Sequence, residues 1–247
     1  MGREVKEDWL LGRRLRVLQP TRGYRAGMDA ALLAAAANLL PGQRLIEAGC
    51  GAGGALCQVA ARCPETQMVG VERDAEAVRL AQLNMTENGF GDRNRIIQAD
   101  IADGFRSLGL SPFDAAICNP PFFDDETSLR PPAPERRGAW IADDGLEAWT
   151  GFLLKAVREG GTITVIHRAD RLADILGQLA SKAGSFQIRP IHPFADHPAK
   201  RVIVRAIKTG RAPLELLPAL VMHDQSGAKH TPEAEAILRG ERILGWR

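Results

Sequence analysis

The sequence predicts a Rossmann-like α/β fold: a doubly wound, mostly parallel seven-stranded sheet with an antiparallel terminal hairpin. Three observations lead there. From about residue 30 to 184, short apolar runs alternate with segments of helical pattern, the mark of parallel strands joined by crossover helices. The last two apolar runs, 186–191 and 201–207, follow one another without a helical segment between them, so they pair antiparallel. A glycine cluster, Gly49 to Gly54, stands directly after the first run, where open α/β sheets receive ligands.

The elements follow in order. Residues 1–29 are polar and Arg-rich and read as an irregular extension. Asp29 is a capping type, and the Ala- and Leu-rich stretch behind it favours a helix through Leu40, which Pro41-Gly42 stops. Residues 44–48 form a short buried strand, and a helix runs from the glycines to about Cys63. A strand at 68–72 precedes a helix at 75–87 that Asn88-Gly89 ends. Strands at 95–99 and 113–118 come next. A helix at 145–158 ends at Gly160-Gly161, a strand fills 162–167, and a helix at 171–183 ends at Gly184. The tail offers a strand around 216–222 and a short helix from Thr231. The proline-rich stretch 123–144 reads as a long irregular loop, functional or mobile.

Composition excludes several classes. The chain carries 32 Lys and Arg against 30 Asp and Glu, a net charge of +2, which is neither a uniformly basic scaffold nor an acidic disordered tail. A polarised surface stays open. Residues 1–26 sum to +4 and residues 189–211 to +5, leaving −7 for the remainder. If those flanks meet beside the fourth strand, they form a footprint for a phosphate backbone. The longest aliphatic run, eleven residues at 30–40, is too short to span a bilayer. The first ten residues lack the apolar core of a secretory signal. Cys50, Cys57, Cys63 and Cys118 form no CxxC pair and read as reduced thiols in apolar segments. The expectation is a cytoplasmic protein with no membrane segment and no metal; oligomeric state stays open.

The glycine loop admits two readings. Gly49, Gly51 and Gly53 fit the GxGxG of S-adenosylmethionine enzymes, whereas Gly49, Gly51 and Gly54 fit the GxGxxG of NAD enzymes. Two features favour the methyl donor. Glu47 can reach the donor's ammonium, or a water near it; with it Gly49, Cys50, Gly51, Gly53 and, further on, Asn119 are the cofactor-binding candidates at this end of the sheet. The donor also has no pyrophosphate, and the loop holds no basic residue to read one. Glu72, 19 residues beyond Gly53 and followed by Arg73, ends the second strand, where a carboxylate can accept both ribose hydroxyls. Asp100 ends the third, within reach of an adenine amine, with Ile101 to pack on the ring; alone, Asp100 fits a helix cap equally well.

The fourth strand runs straight into Asn119-Pro120-Pro121-Phe122. Two prolines lack N–H groups and fix φ, and each pushes the residue before it into extended geometry. The stiff turn presents carbonyl oxygens, to which Asn119 adds an amide oxygen. Two converging acceptors hold a planar amine by its two hydrogens and turn its lone pair toward an electrophile. Positioning then carries the rate, with no strong base. Phe122 offers a flat face for a flipped base.

With these residues in order, the chain resembles class I S-adenosylmethionine-dependent methyltransferases of the amino-methylating type. More closely, it is similar to the tRNA adenine N(6)-methyltransferases that modify valine tRNA beside the anticodon. Gly23-Tyr24-Arg25, Asp29-Ala30-Ala31-Leu32-Leu33 and Ala199-Lys200-Arg201 add to the likeness, which covers roughly residues 20–210. The resemblance implies S-adenosyl-L-methionine as cofactor, RNA and most directly tRNA as partner, and catalysis by Asn119, Pro120, Pro121 and Phe122. It divides the chain into an N-terminal extension and helix (1–40), a catalytic domain (41–210) and a tail packed on the core (211–247).

Tyr24, Arg25, Arg136, Arg137, Trp140, Lys200 and Arg201 are candidates for RNA contact, because interleaved basic and aromatic side chains suit phosphates and bases. His167 ends the fifth strand near the same edge, and a cap or ion-pair role suits it best. His192 and His197 fall in a proline-bearing loop that argues against a metal pair. Other readings of the whole are a small-molecule O-methyltransferase, a protein glutamine-amide methyltransferase (the same tetrapeptide serves there), an NAD-dependent oxidoreductase and a non-catalytic RNA-binding module.

Overall fold

The structure, a computed structural model, describes residues 4–21, 25–121 and 145–246. The chain enters through an antiparallel hairpin, β1 (Val5–Leu10) and β2 (Leu15–Pro20), with Val5 opposite Pro20 and Leu10 opposite Leu15. This corrects the irregular extension expected there. In β2, Leu15, Val17 and Gln19 are buried while Arg16 is exposed, a period-two signal that the surrounding charged residues obscured. Leu11, Gly12 and Arg13 take positive φ in the turn.

The main sheet has the predicted seven-strand body. Its order is β5 (Asn94–Gln98), β4 (Gln67–Glu72), β3 (Arg44–Ala48), β6 (Phe113–Cys118), β7 (Val157–Arg168), β9 (Arg201–Lys208) and β8 (Ala183–His192). The first five strands are mutually parallel, and β9 runs antiparallel to both β7 and β8. The tail adds two short pieces, β10 (Glu215–Leu216) and β11 (Leu220–Val221), both parallel to β8. A single strand was expected there, but Pro218 has no N–H to continue the ladder.

The helices are α1 (Met28–Ala36), α2 (Gly54–Arg62), α3 (Ala75–Glu87), α4 (Leu146–Ala156), α5 (Leu172–Leu179) and α6 (Pro232–Leu238). Three boundaries differ from expectation. Helix α1 is capped at Gly27 rather than by Asp29, which binds Arg201, and it ends at Ala36, with Asn38 at φ 38°. Helix α4 ends at Ala156, and β7 starts at once, so Gly160-Gly161 lies inside the strand where its register against β6 shifts. Helix α5 ends at Leu179, and Gly184 falls within β8 at a bulge, where a Cβ would lie 2.3 Å from the Gly210 carbonyl oxygen.

Both faces of the sheet are covered. One packs Leu32, Leu33, Leu56, Ile117 and Ile203 beneath α1 and α2, with Trp246 of the tail donating its indole N–H to Ala36 O at 2.9 Å. The other packs Ile46, Val165 and Val204 against α4 and α5, with Phe105 set edge-on to Phe113 and Phe152.

Candidate active site

The carboxyl ends of four parallel strands position the site. Ala48 lies opposite both Val71 and Cys118 in register, so the glycine loop after β3 and the Asn119 turn after β6 leave the sheet side by side. Gly49, Gly51 and Gly53 have φ of 66°, 53° and 81°, a conformation glycine reaches without the Cβ penalty. Gly54 opens α2 and is required for a different reason: a Cβ there would stand 2.1 Å from Cβ of Ala26. The segment ahead of α1 therefore lies directly on the glycine loop.

Side chains fasten this loop. Gly51 N–H donates to Glu72 Oε2 at 3.0 Å, and the other Glu72 oxygen accepts from Asp74 N–H at 2.9 Å. Each oxygen of Glu72 keeps accepting capacity for a hydroxyl. Asp100 caps the turn after β5 by accepting from Ala102 N–H at 2.9 Å, and its second oxygen lies 3.7 Å from Arg73 Nη1. Ile101 is buried beside it. Cys50 is buried, and burial with Glu47 and Glu72 nearby pushes its thiol well up, so it stays protonated and unreactive.

Glu47 is 3% exposed. Its Oε2 is buried with no hydrogen-bond partner among the described residues. Burial first, and then the charge of Glu72, raise its carboxyl well above the usual range. Glu47 lines a small cavity with Gln19, Ala26, Gly49, Cys50 and Asn119. Gln19 and Ala26 are functional candidates that sequence reasoning missed. Gln19 is tied in place by accepting from Ala26 N–H at 2.6 Å and donating to Asp8 Oδ2 at 3.0 Å. The period-two burial of β2 was the signal that pointed inward to it.

The structure brings together Glu47, the glycines and Asn119, with Pro120 buried beneath the turn and Pro121 half-buried at its end. Phe122, Tyr24, Arg136, Arg137 and Trp140 lie outside the described residues. Arg25 pairs with Asp8 at 2.5 Å and Arg201 with Asp29 at 2.9 Å, while Lys200 is exposed at the same sheet edge as Arg201. The second basic flank does not gather at the turn. Arg189 donates to the carbonyls of Pro218 and Gly245, Arg205 lies over the Trp246 ring, and Lys208 binds Val157 O at the opposite end of β9. His167 is buried, and burial with Arg168 and Arg201 pushes it down to about 4, so it is neutral.

The donor set fits a cationic nucleoside. The cavity lining holds a carboxyl with an unpartnered oxygen and no Lys, Arg or His. A pyrophosphate would meet Glu47 and Glu72 with no countercharge from that lining. Among the described residues no three His, Cys, Asp or Glu side chains are placed to share a metal ion, and no helix is long and apolar enough to cross a membrane.

Residues 26–130 match the model of the methyltransferase small domain. That stretch is similar to a methyltransferase domain. Around it the chain is similar to a solved predicted O-methyltransferase of Agrobacterium tumefaciens, 28% identical, with a TM-score of 0.73 over 87% of this chain and 97% of that one. It is 31% identical over 113 residues to a tRNA1(Val) (adenine(37)-N6)-methyltransferase of Flavobacteriaceae bacterium (strain 3519-10), across 45% of this chain and 47% of that protein. It is 36% identical over 81 residues to the rRNA N(6)-adenosine-methyltransferase metl-5 of Caenorhabditis elegans, across 33% of this chain and 38% of that protein. The match thus spans less than half the length of these two relatives. The methyltransferase domain match takes in the glycine loop, Glu72, Asp100 and the Asn119 turn.

Proposed function

We propose that this domain transfers a methyl group from S-adenosylmethionine to the exocyclic amine of an adenine in RNA, with tRNA the first substrate. One observation carries the reading: Asn119 lines the same cavity as Glu47 and Gly49, so acceptor-holding and donor-holding groups converge. Glu72 takes the ribose hydroxyls, Asp100 the adenine amine, Ile101 a face of the ring, and Gly49, Cys50, Gly51 and Gly53 admit the donor's amino-acid end, with Arg73 steadying Asp100.

The donor supplies an electrophilic methyl carbon on a sulfonium. Asn119 Oδ1 and the Pro120 carbonyl accept the two N–H groups of the target amine and aim its lone pair at that carbon. A C–N bond forms as the C–S bond breaks, its electron pair going to sulfur. The nitrogen, now cationic, gives its extra proton to water. Holding and orienting the amine is the whole task. Oxygen transfer needs a base or a metal at the acceptor, and the cavity lining offers no His or Lys for it.

The reading carries with it nucleic-acid binding, a cytoplasmic location beside tRNA, and catalysis by residues 41–210 flanked by 1–40 and 211–247. Labelled donor incubated in parallel with total RNA, with a protein extract and with phenols, followed by product analysis, tests it. Label in N(6)-methyladenosine supports it. Label only in a protein glutamine amide or in phenols, or tight nicotinamide dinucleotide binding without donor binding, overturns it in favour of the corresponding alternative.

A further inference from the structure

Glu47 is an unusual group to build into a cofactor cavity. It sits on β3, and the elements around it contribute almost nothing that would stabilise a negative charge. From the glycine loop and α2 come the Cys50 and Cys57 thiols and the Leu56 N–H; from β4, Glu72; from β6, Cys118. From the N-terminal segment and α1, the cavity receives Gln19, Ala26 and Ala30. Among these groups the Leu56 N–H favours a negative charge on the carboxyl, and Oε2 is left without a partner. An isolated buried carboxylate is costly, and such a group neutralises instead.

We propose that Glu47 is the positioning residue for the donor's ammonium and that it takes up this role by giving up a proton when the donor binds. The inference rests on the methyltransferase reading above. In the free protein burial, with Glu72 beside it, pushes the carboxyl toward its neutral form. The donor's amino-acid end brings a cation to the Oε2 side, where ionisation becomes favourable. The carboxyl O–H breaks, the proton leaves to solvent, and a carboxylate–ammonium pair remains, hydrogen-bonded and shielded from water. Binding of the donor and ionisation of Glu47 are then one linked equilibrium. The same device disfavours ligands that are anionic at this position, because they cannot stabilise the ionised form and would face Glu72 as well.

The linkage is directly measurable as protons released per donor bound. The full chain is titrated calorimetrically with S-adenosylmethionine in phosphate and in Tris at one pH. About pH 6.5 is suitable, below the range in which an α-amino group deprotonates. The heat difference between buffers gives the proton count. We expect a net release of protons on donor binding. S-adenosylhomocysteine, which keeps the ammonium, behaves alike. Methylthioadenosine, which lacks the amino-acid end, binds without release. Glu47→Gln abolishes the release and weakens the donor by about ten-fold or more, the scale of a lost charge-assisted hydrogen bond, while leaving methylthioadenosine affinity unchanged.

Glu47→Gln keeps size and shape, and its melting temperature checks that it folds. Donor binding with no proton release, or with equal release from Glu47→Gln, overturns the inference. Release with S-adenosylmethionine but not with S-adenosylhomocysteine overturns the assignment to the ammonium. Absence of donor binding altogether would instead remove the methyltransferase reading on which the inference stands.

Discussion

The benzo edge of Trp149 occupies the space that a side chain on Gly49 would need: a Cβ there would lie 2.2 Å from Cη2 and 2.6 Å from Cζ3. Gly49 also has φ 66°. Gly49→Ala therefore meets two obstacles, about 1–2 kcal/mol for the left-handed backbone and about 1–3 kcal/mol for overpacking a buried contact. Trp149→Phe removes the edge that touches Gly49. In that background Gly49→Ala costs less, by the overlap share of the penalty, and urea denaturation of the four proteins of the cycle measures it. Strict additivity would show that Trp149 does not set the requirement for glycine.

Asn84 binds the N-terminal hairpin and the glycine loop at once. Its Oδ1 accepts from Leu18 N–H at 2.7 Å, and its Nδ2 donates to Leu18 O at 2.9 Å and Ala52 O at 2.8 Å, all from a side chain 1% exposed. Asn84→Ala leaves those backbone groups unsatisfied and costs about 2–4 kcal/mol, read as a lower urea midpoint at unchanged slope. Donor affinity falls along with stability, because the loop loses its tether at Ala52. Asn84→Asp keeps the acceptor but sets a buried carboxyl oxygen against the carbonyl oxygens of Leu18 and Ala52, so it destabilises at least as much as Asn84→Ala.

How far these features were legible in the sequence follows from the range of the forces involved. The strands 44–48 and 113–118 and the helix 75–87 match their expected limits, because local patterning and caps, such as Asp74 accepting from Glu76 and Ala77 N–H, define them. That the glycine loop, Glu72 and Asn119 stand at neighbouring strand ends was legible because the strands and the turns that follow them are local in sequence. What was missed depends on distant partners. Asn84 and Gln19 look like ordinary polar residues until β2 is laid against α3. Trp149 reads as helix core until Gly49 appears beneath it. Gly160-Gly161 and Gly184 read as helix stops, but tertiary pairing in the sheet claimed them.

His167 makes the protein sensitive to acid. Its folded-state value is pushed down to about 4 by burial, Arg168 and Arg201, against an ordinary value of about 6.5 in the unfolded chain. The unfolded state thus binds the proton first. The native state is unaffected above about pH 6.5 and loses stability as pH falls toward 4, by on the order of 3 kcal/mol in full. His167→Gln, neutral throughout, flattens that portion of the stability curve. Equal slopes for the two proteins between pH 6.5 and 4 would show that His167 is not the group responsible.

Glu47 acts with the opposite sign. Its folded-state value lies well above that of the unfolded chain, so here the native state holds the extra proton. Its contribution is greatest below the unfolded value of about 4.3 and is lost as pH rises toward the folded value, at up to about 1.4 kcal/mol per pH unit. Glu47→Gln should therefore be more stable than the wild type at alkaline pH while binding the donor less well. Thermal melts across the neutral and alkaline range check this, and a variant destabilised equally at every pH would contradict it.

Asn119 separates chemistry from donor binding. It stands at the end of β6, with Pro120 buried behind it, so its backbone path is fixed by two prolines rather than by its own side chain. Asn119→Ala should leave the fold and the donor affinity within about two-fold, a shift below 0.5 kcal/mol. The turnover number should fall by about 10²–10³, the scale of removing one preorganised hydrogen-bonding group from a transition state. Asn119→Asp keeps an oxygen at the acceptor position and should retain more activity than Asn119→Ala, because the amine becomes cationic as the C–N bond forms and a carboxylate tolerates that charge. Single-turnover methyl transfer with saturating donor, paired with calorimetric donor binding, distinguishes the steps. Full turnover in Asn119→Ala would mean that the amine is not held by this side chain, and loss of donor binding in step with turnover would place Asn119 in the donor site instead.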